Sequence, residues 1–301
     1  MNWLLIVIIA YFLNSIAMVI DRRLLTKTIP DALVYTFYIG LLSVFFLPFF
    51  LALGVVMPAP LILFFSFISG GFFILALFLM YQAFRREEIS RVIPFIGSLN
   101  PVFIFLLAVF FLGEILAYQE ILAFFLILSG GFLISLKIKK HSPLFPTRAL
   151  KLALFSAFFF AFSYVLTKYI YNQIDFVSGF FWIRLGAVIT VLALLILPGS
   201  FERIRKNFNK NKKRANSLFW SGQLCGGLST LLLSIAISFA SVTLVNSLQG
   251  LQYGFLFLLI YFLSKYRPKF FKEEFTLPIV AQKTLAIALI AAGLFILSAN
   301  I

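Results

Sequence analysis

The chain has 301 residues, of which 62% are hydrophobic and 12% charged, with 41 Phe and a mean hydropathy of +1.07. A soluble domain is about half apolar and about a quarter charged, so this composition points to a chain solvated mainly by lipid and excludes most soluble enzymes and nucleic-acid binders. One Cys (Cys225) and one His (His141) exclude disulfide scaffolds and Cys/His metal clusters, and no cofactor is expected.

A helix needs about 20 apolar residues to cross the hydrocarbon core. Breaking the sequence at charges, prolines and turn residues predicts ten spans, at 3–20, 31–53, 60–84, 89–112, 115–136, 149–171, 176–198, 217–240, 243–263 and 279–299. Asp21-Arg22-Arg23 is expected to end the first, and Arg85-Arg86-Glu87-Glu88 the third. The runs are long and non-alternating, which favours helices that satisfy their own backbone in lipid. The first run lacks a basic leader and a small-residue cleavage site, so it is expected to be a retained span. The longest polar stretch, Phe201 to Ser217, is expected to be a basic loop.

With ten spans, 23 of the 25 Lys and Arg fall on one side, in the loops 21–30, 85–91, 137–151, 201–216 and 264–278 and at their span ends. Excess Lys and Arg mark cytoplasmic loops, so both termini are expected outside a plasma (inner) membrane. The formal charge of +15 then needs no nucleic acid; the basic loops would rest against anionic lipid headgroups.

The two halves repeat. Ser66-x-x-x-Gly70-Gly71 aligns with Gly222-x-x-x-Gly226-Gly227, and Ser98-Leu99-Asn100 with Gly250-Leu251-Gln252. Leu122-Ala123 through Gly130 aligns with Leu285-Ala286 through Gly293. Five spans is an odd number, so the second copy enters the membrane upside down. The expected fold is an all-α polytopic membrane protein of two inverted five-helix repeats, 1–140 and 149–301. That architecture belongs to secondary transporters, which alternate access around a site near the midplane.

Tyr81-Gln82-Ala83, a polar turn to Pro94, Ser98-Leu99-Asn100-Pro101, Leu112-Gly113-Glu114 and the glycine-rich run Leu126 to Gly131 resemble the EamA-type repeat of the drug/metabolite transporter superfamily. In the second copy Tyr253 stands where the proline would be and Ser264-Lys265 replaces Gly-Glu. The arginine found early in the family's second helix matches Arg184, with Tyr38 in the first copy. The resemblance implies a ten-helix exporter or permease of small metabolites. It also implies cytoplasmic termini, against the charge count.

Helix-weakening residues at matched positions in two halves point to a transporter's binding site. Pro101 removes a backbone donor and crowds the carbonyl of Gly97, while Gly250 and Gly254 weaken the ninth span; helix breaks are expected at Pro101 and Gly254. Around them lie Ser98 and Asn100, and Asn246, Ser247, Gln249, Gln252 and Tyr253. Amides in lipid also serve as plain helix–helix glue. Arg184 is the one ionised group well inside a span and suggests an anionic substrate, or snorkelling toward the outer surface. Tyr81 and Trp182 are further candidates, as cavity lining or aromatic belt; Asn14, Ser15, Ser163 and Tyr164 are weaker ones. No Asp or Glu is expected at mid-membrane, so transport is expected not to use a buried acid, and Glu114 reads as the opening charge of the fifth span. The expected function is secondary transport of a small polar or amphipathic metabolite. A flippase for a lipid-linked carrier is the alternative; a membrane-embedded enzyme fits poorly with so few acids and histidines.

Overall fold

Apolar segments that cannot leave backbone groups bare in lipid close their own hydrogen bonds, and the computed structural model of the chain is almost entirely helical over its described residues, with no strand among them. These residues are 3–27, 31–86, 89–135, 147–196, 198–208, 213–266 and 277–299; the basic positions 137, 139, 140, 210, 212, 267, 269 and 272 lie outside them.

Helix α1 runs Trp3–Lys27, and the second apolar run is divided into α2 (Ala32–Leu42) and α3 (Leu47–Ala52), joined by a 3-10 turn. Asp31 caps α2, its carboxylate accepting from the amide of Leu33 at 2.9 Å. Then come α4 (Pro60–Phe84), α5 (Ile89–Leu107) and α6 (Tyr118–Ser135). The second half holds α7 (Thr147–Gln173), α8 (Phe176–Ala193), the short α9 (Ser200–Phe208), α10 (Lys213–Phe239), α11 (Val242–Ser247), α12 (Gln249–Tyr266) and α13 (Leu277–Ala299).

Seven helical segments are long and apolar enough to cross a membrane: Trp3–Leu25, Ala32–Ala52, Pro60–Phe84, Phe95–Leu112, Arg148–Gln173, Phe176–Ile196 and Ser217–Phe239. The expected fifth and tenth spans contain the shorter apolar stretches Tyr118–Leu133 and Thr284–Leu297, and the expected ninth is divided at Leu248.

Four local expectations are corrected. The first helix does not stop at Asp21-Arg22-Arg23 but continues to Lys27, because arginine, leucine and lysine are good helix formers and charge alone does not end a helix. The polar stretch after Ser200 is not all loop: α9 turns Ser200 and Ile204 inward and Phe201, Arg203, Arg205 and Lys206 outward. Helix α5 passes unbroken through Pro101, and α12 through Gly254. The departures from α-helix fall instead at a π-turn, Ala108–Leu112, ended by left-handed Gly113 (φ 62°), and at Leu248. Pro101 therefore behaves as a tolerated intrahelical proline. Finally, Glu120 rather than Glu114 opens the fifth span, accepting from the amide of Ala117 at 2.8 Å. The carboxylate of Glu114 instead accepts from the hydroxyl of Thr243, at the start of α11, at 2.6 Å.

The dominant helix pairs are α4 with α7, α1 with α10 and α6 with α13, followed by α4 with α8, α5 with α7 and α1 with α12. Small residues set how near these helices come, as the Ser/Gly spacings suggest. A Cβ on Gly186 of α8 would lie 2.6 Å from the Cα of Phe67 in α4, and one on Gly70 would lie 2.2 Å from the carbonyl oxygen of Ile183. On Gly226 it would sit 3.6 Å from Ala17 in ordinary contact. Two large apolar clusters result. One joins the start of α1, the ends of α5 and α13, α6, α7, α10 and α11; the other joins the end of α1, α2, α4, the start of α5, α7 and α8.

Gly186→Ala, whose methyl meets backbone, is expected to cost about 1–3 kcal/mol. Gly226→Ala should be near neutral. Thermal unfolding of the purified chain in detergent measures both.

Candidate functional site

The described residues enclose a cavity of about 200 Å³ between α1, α2, α4, α5, α7, α8 and α10. Its wall is built from helical spacing. Asn14, Met18 and Asp21 stand at i, i+4 and i+7 on one face of α1, and Gln223, Gly226, Thr230 and Leu233 on one face of α10. Helix α4 contributes Phe73, Ile74, Leu77, Met80, Tyr81 and Phe84.

Arg184 projects into this space. Its guanidinium carbon lies 4.8 Å from the ring centre of Phe180 and 5.5 Å from that of Phe73, within cation–π range. Its Nε is buried without a hydrogen-bond partner, and no carboxylate pairs with it among the described residues. The snorkelling alternative is not the arrangement seen, since the side chain is held inside by two aromatic faces.

Asn100 is 3% exposed and faces the same cavity. Its Nδ2 donates to Oε1 of Gln249 at 3.3 Å, and its Oδ1 is buried with no partner. Tyr81 lines the lower wall edge-on to Tyr35, ring centres 5.0 Å apart. Asp21 also lines the cavity, its carboxylate accepting from the hydroxyl of Tyr35. The sequence places Asp21 at a span end; with α1 continuing past residue 20, it lies within the helix and at the edge of the cavity.

Of the sequence candidates, Asn100, Gln249, Arg184 and Tyr81 meet at the cavity, joined by Asn14 and Tyr164. The others bond elsewhere. Gln252, fully buried, accepts from Asn14 Nδ2 at 3.1 Å and donates to the sulfur of Met18, so it holds α12 against α1. Tyr253 donates to the carbonyl of Ile93 at 3.1 Å. Ser98 and Asn246 donate to Phe95 and Val242 in their own helices, at 3.0 and 2.9 Å. Trp182 donates to the carbonyl of Val56 at 3.0 Å, tying the 54–59 turn to α8. Ser163 belongs to a serine–threonine seam, its hydroxyl donating to the carbonyl of Ser69 at 2.8 Å. Sequence reasoning missed Asp21, Gln223, Ser229, Thr230 and the two phenylalanines beside Arg184. The i, i+4, i+7 spacing from Asn14 to Asp21 was the available signal for the first.

Beyond the cavity, toward the ends remote from the basic loops, three hydrogen bonds cross between helices. Lys168 donates to the carbonyl of Ile237 at 3.0 Å, Tyr11 to that of Val245 at 3.2 Å, and Thr243 to Glu114.

No protein-family model and no curated protein matches the chain. A solved structure described only as "Crystal structure of protein" is similar to it with a TM-score of 0.67 over 98% of this chain and 96% of that one, at 17% identity. At that identity the likeness is one of fold alone.

A Cβ on Gly97 would fall 1.4 Å from the hydroxyl of Tyr253. Gly97→Ala is therefore expected to expel that ring and cost about 1–3 kcal/mol, and to cost less in a Tyr253→Leu background. A thermal double-mutant cycle checks this.

Proposed function

We propose that the chain is a secondary transporter that moves a small polar or amphipathic metabolite across the plasma membrane by alternating access. In this reading it has ten passes in two inverted EamA-like five-helix repeats, 1–140 and 149–301. Support comes from how the helices exchange partners. Helix α4 packs on α7 as α10 packs on α1, α5 on α7 as α12 on α1, and α6 on α13, its own counterpart. A two-fold axis lying in the membrane plane requires that exchange.

The observation that carries the function is the cavity itself. It holds a guanidinium without a counter-charge and an unpaired amide oxygen, reaches toward the basic-loop ends, and gives way at the other to helices tied by cross-bundle bonds. This is the arrangement of a carrier resting with its site turned to one compartment. The basic loops face the cytoplasm in this reading, with both termini outside. Helix α9 lies at the lipid surface, with Phe201 (62% exposed) in the interface and Arg203, Arg205 and Lys206 against anionic headgroups. An enzyme is disfavoured by the scarcity of acids and histidines in the sequence.

Two measurements test this. Comparing the media of overexpressing and deletion cells identifies solutes, whose flux into proteoliposomes should depend on the protein; flux only of a lipid-linked carrier would favour the flippase. In a Cys225→Ser background, a cysteine at Arg205 should react only with reagents that reach the cytoplasm, and one at Asn2 from outside. The reverse pattern would invert the orientation.

A further inference from the structure

The charges of the cavity say more about its ligand than its size does. Its lining includes one cation, Arg184, and one carboxylate, Asp21, and among the described residues neither is paired with an opposite charge. Arg184 meets Phe73, whereas Asp21 meets Tyr35, which packs on Tyr81. Phe73 and Tyr81 are eight residues apart on α4, so the two charges sit roughly 12 Å apart along its axis. They cannot neutralise each other. A half-buried guanidinium whose Nε has no partner, set against two aromatic faces, has lost part of its hydration and received only part of the return.

Asn100 supplies the second constraint. Its Nδ2 donates one bond to Gln249, while its Oδ1 is buried at the cavity wall with no partner, an acceptor that calls for a donor. The wall between is apolar, formed by Ile74, Leu77 and Phe160.

We propose that this cavity binds a small organic monoanion, a carboxylate with an apolar body and one hydrogen-bond donor, its carboxylate held by Arg184 and its donor by Asn100 Oδ1. The assignment rests on the transporter reading and narrows its substrate class. A guanidinium and a carboxylate form two parallel charge-assisted bonds, which suits a single arginine. A phosphate dianion would bring one charge more than Arg184 offsets, in a cavity that already holds Asp21. A cationic ligand would meet the guanidinium.

The test uses the full chain in detergent, with thermal unfolding as the readout and four probes: mandelate, its neutral amide mandelamide, phenyl phosphate and phenethylammonium. Mandelate is expected to stabilise the protein best. Arg184→Gln should weaken its binding at least tenfold, Arg184→Lys less, and Asn100→Leu a few-fold, whereas Asp21→Asn should tighten it. Without ligand, Arg184→Gln should melt at or above the temperature of the parent chain, because it removes an unpaired buried charge; a purely structural arginine would lower it. Equal stabilisation by mandelamide, preference for phenyl phosphate or phenethylammonium, undiminished binding by Arg184→Gln, or no stabilisation by mandelate would each overturn the proposal. Carboxylate binding without proteoliposome flux would sink the transporter reading and leave the site standing. Flux indifferent to Arg184 would do the opposite.

Discussion

A guanidinium carried into an apolar bundle without a counter-charge is the constraint around which this molecule is arranged. Desolvating an isolated ion costs several kcal/mol even after the surroundings relax, so an intramembrane arginine survives only where something receives it. Here Phe180, one turn before it on α8, and Phe73 across the interface on α4 receive part of the charge. The close approach of α4 and α8 at Gly70 and Gly186 brings Phe73 within reach. Helix packing and electrostatics meet at this interface.

The same economy separates polar groups that hold the fold from those left without a partner. Most of the polar side chains in the bundle spend their hydrogen bonds internally: Ser163 on Ser69, Gln252 on Asn14 and Met18, Tyr253 on Ile93. In a solvent that offers no hydrogen bonds, a satisfied amide is glue, and it contributes on the order of 1 kcal/mol. Asn100 and Arg184 differ because each lines the cavity and keeps a buried polar atom unspent. The distinction lies in partners rather than in residue type.

The two ends of the bundle are built differently. At the ends remote from the basic loops, bonds from Lys168, Tyr11 and Thr243 join α7 to α10, α1 to α11 and α11 to Glu114 ahead of α6, and the apolar cluster there is continuous. At the other end the cavity interrupts the packing, with α1 and α10 lining one side through small residues, Ala17 and Gly226 among them. The non-helical turns, at 108–112 and Leu248, fall on the bonded side. For a helix pair to part and re-form there, these turns are the places where backbone angles can change at least cost.

The sequence by itself determined the solvent and the helices. Long apolar runs separated by charge, proline and glycine leave lipid as the only compatible surroundings and helix as the only self-satisfying backbone, and the segments seen follow those runs closely. It also marked Arg184 and Asn100, since an ionised or amide group inside such a run is conspicuous by its cost. Tertiary structure decided which polar residues share a wall. Gln252 and Gln249 are three residues apart on one helix, yet one is locked to α1 and the other bonds Asn100 at the cavity. Asp21 read as a terminator until α1 was seen to continue beneath it. Such outcomes depend on the rotation of each helix about its axis. That rotation is set by its neighbours, and a pattern apolar on every face carries almost no record of it.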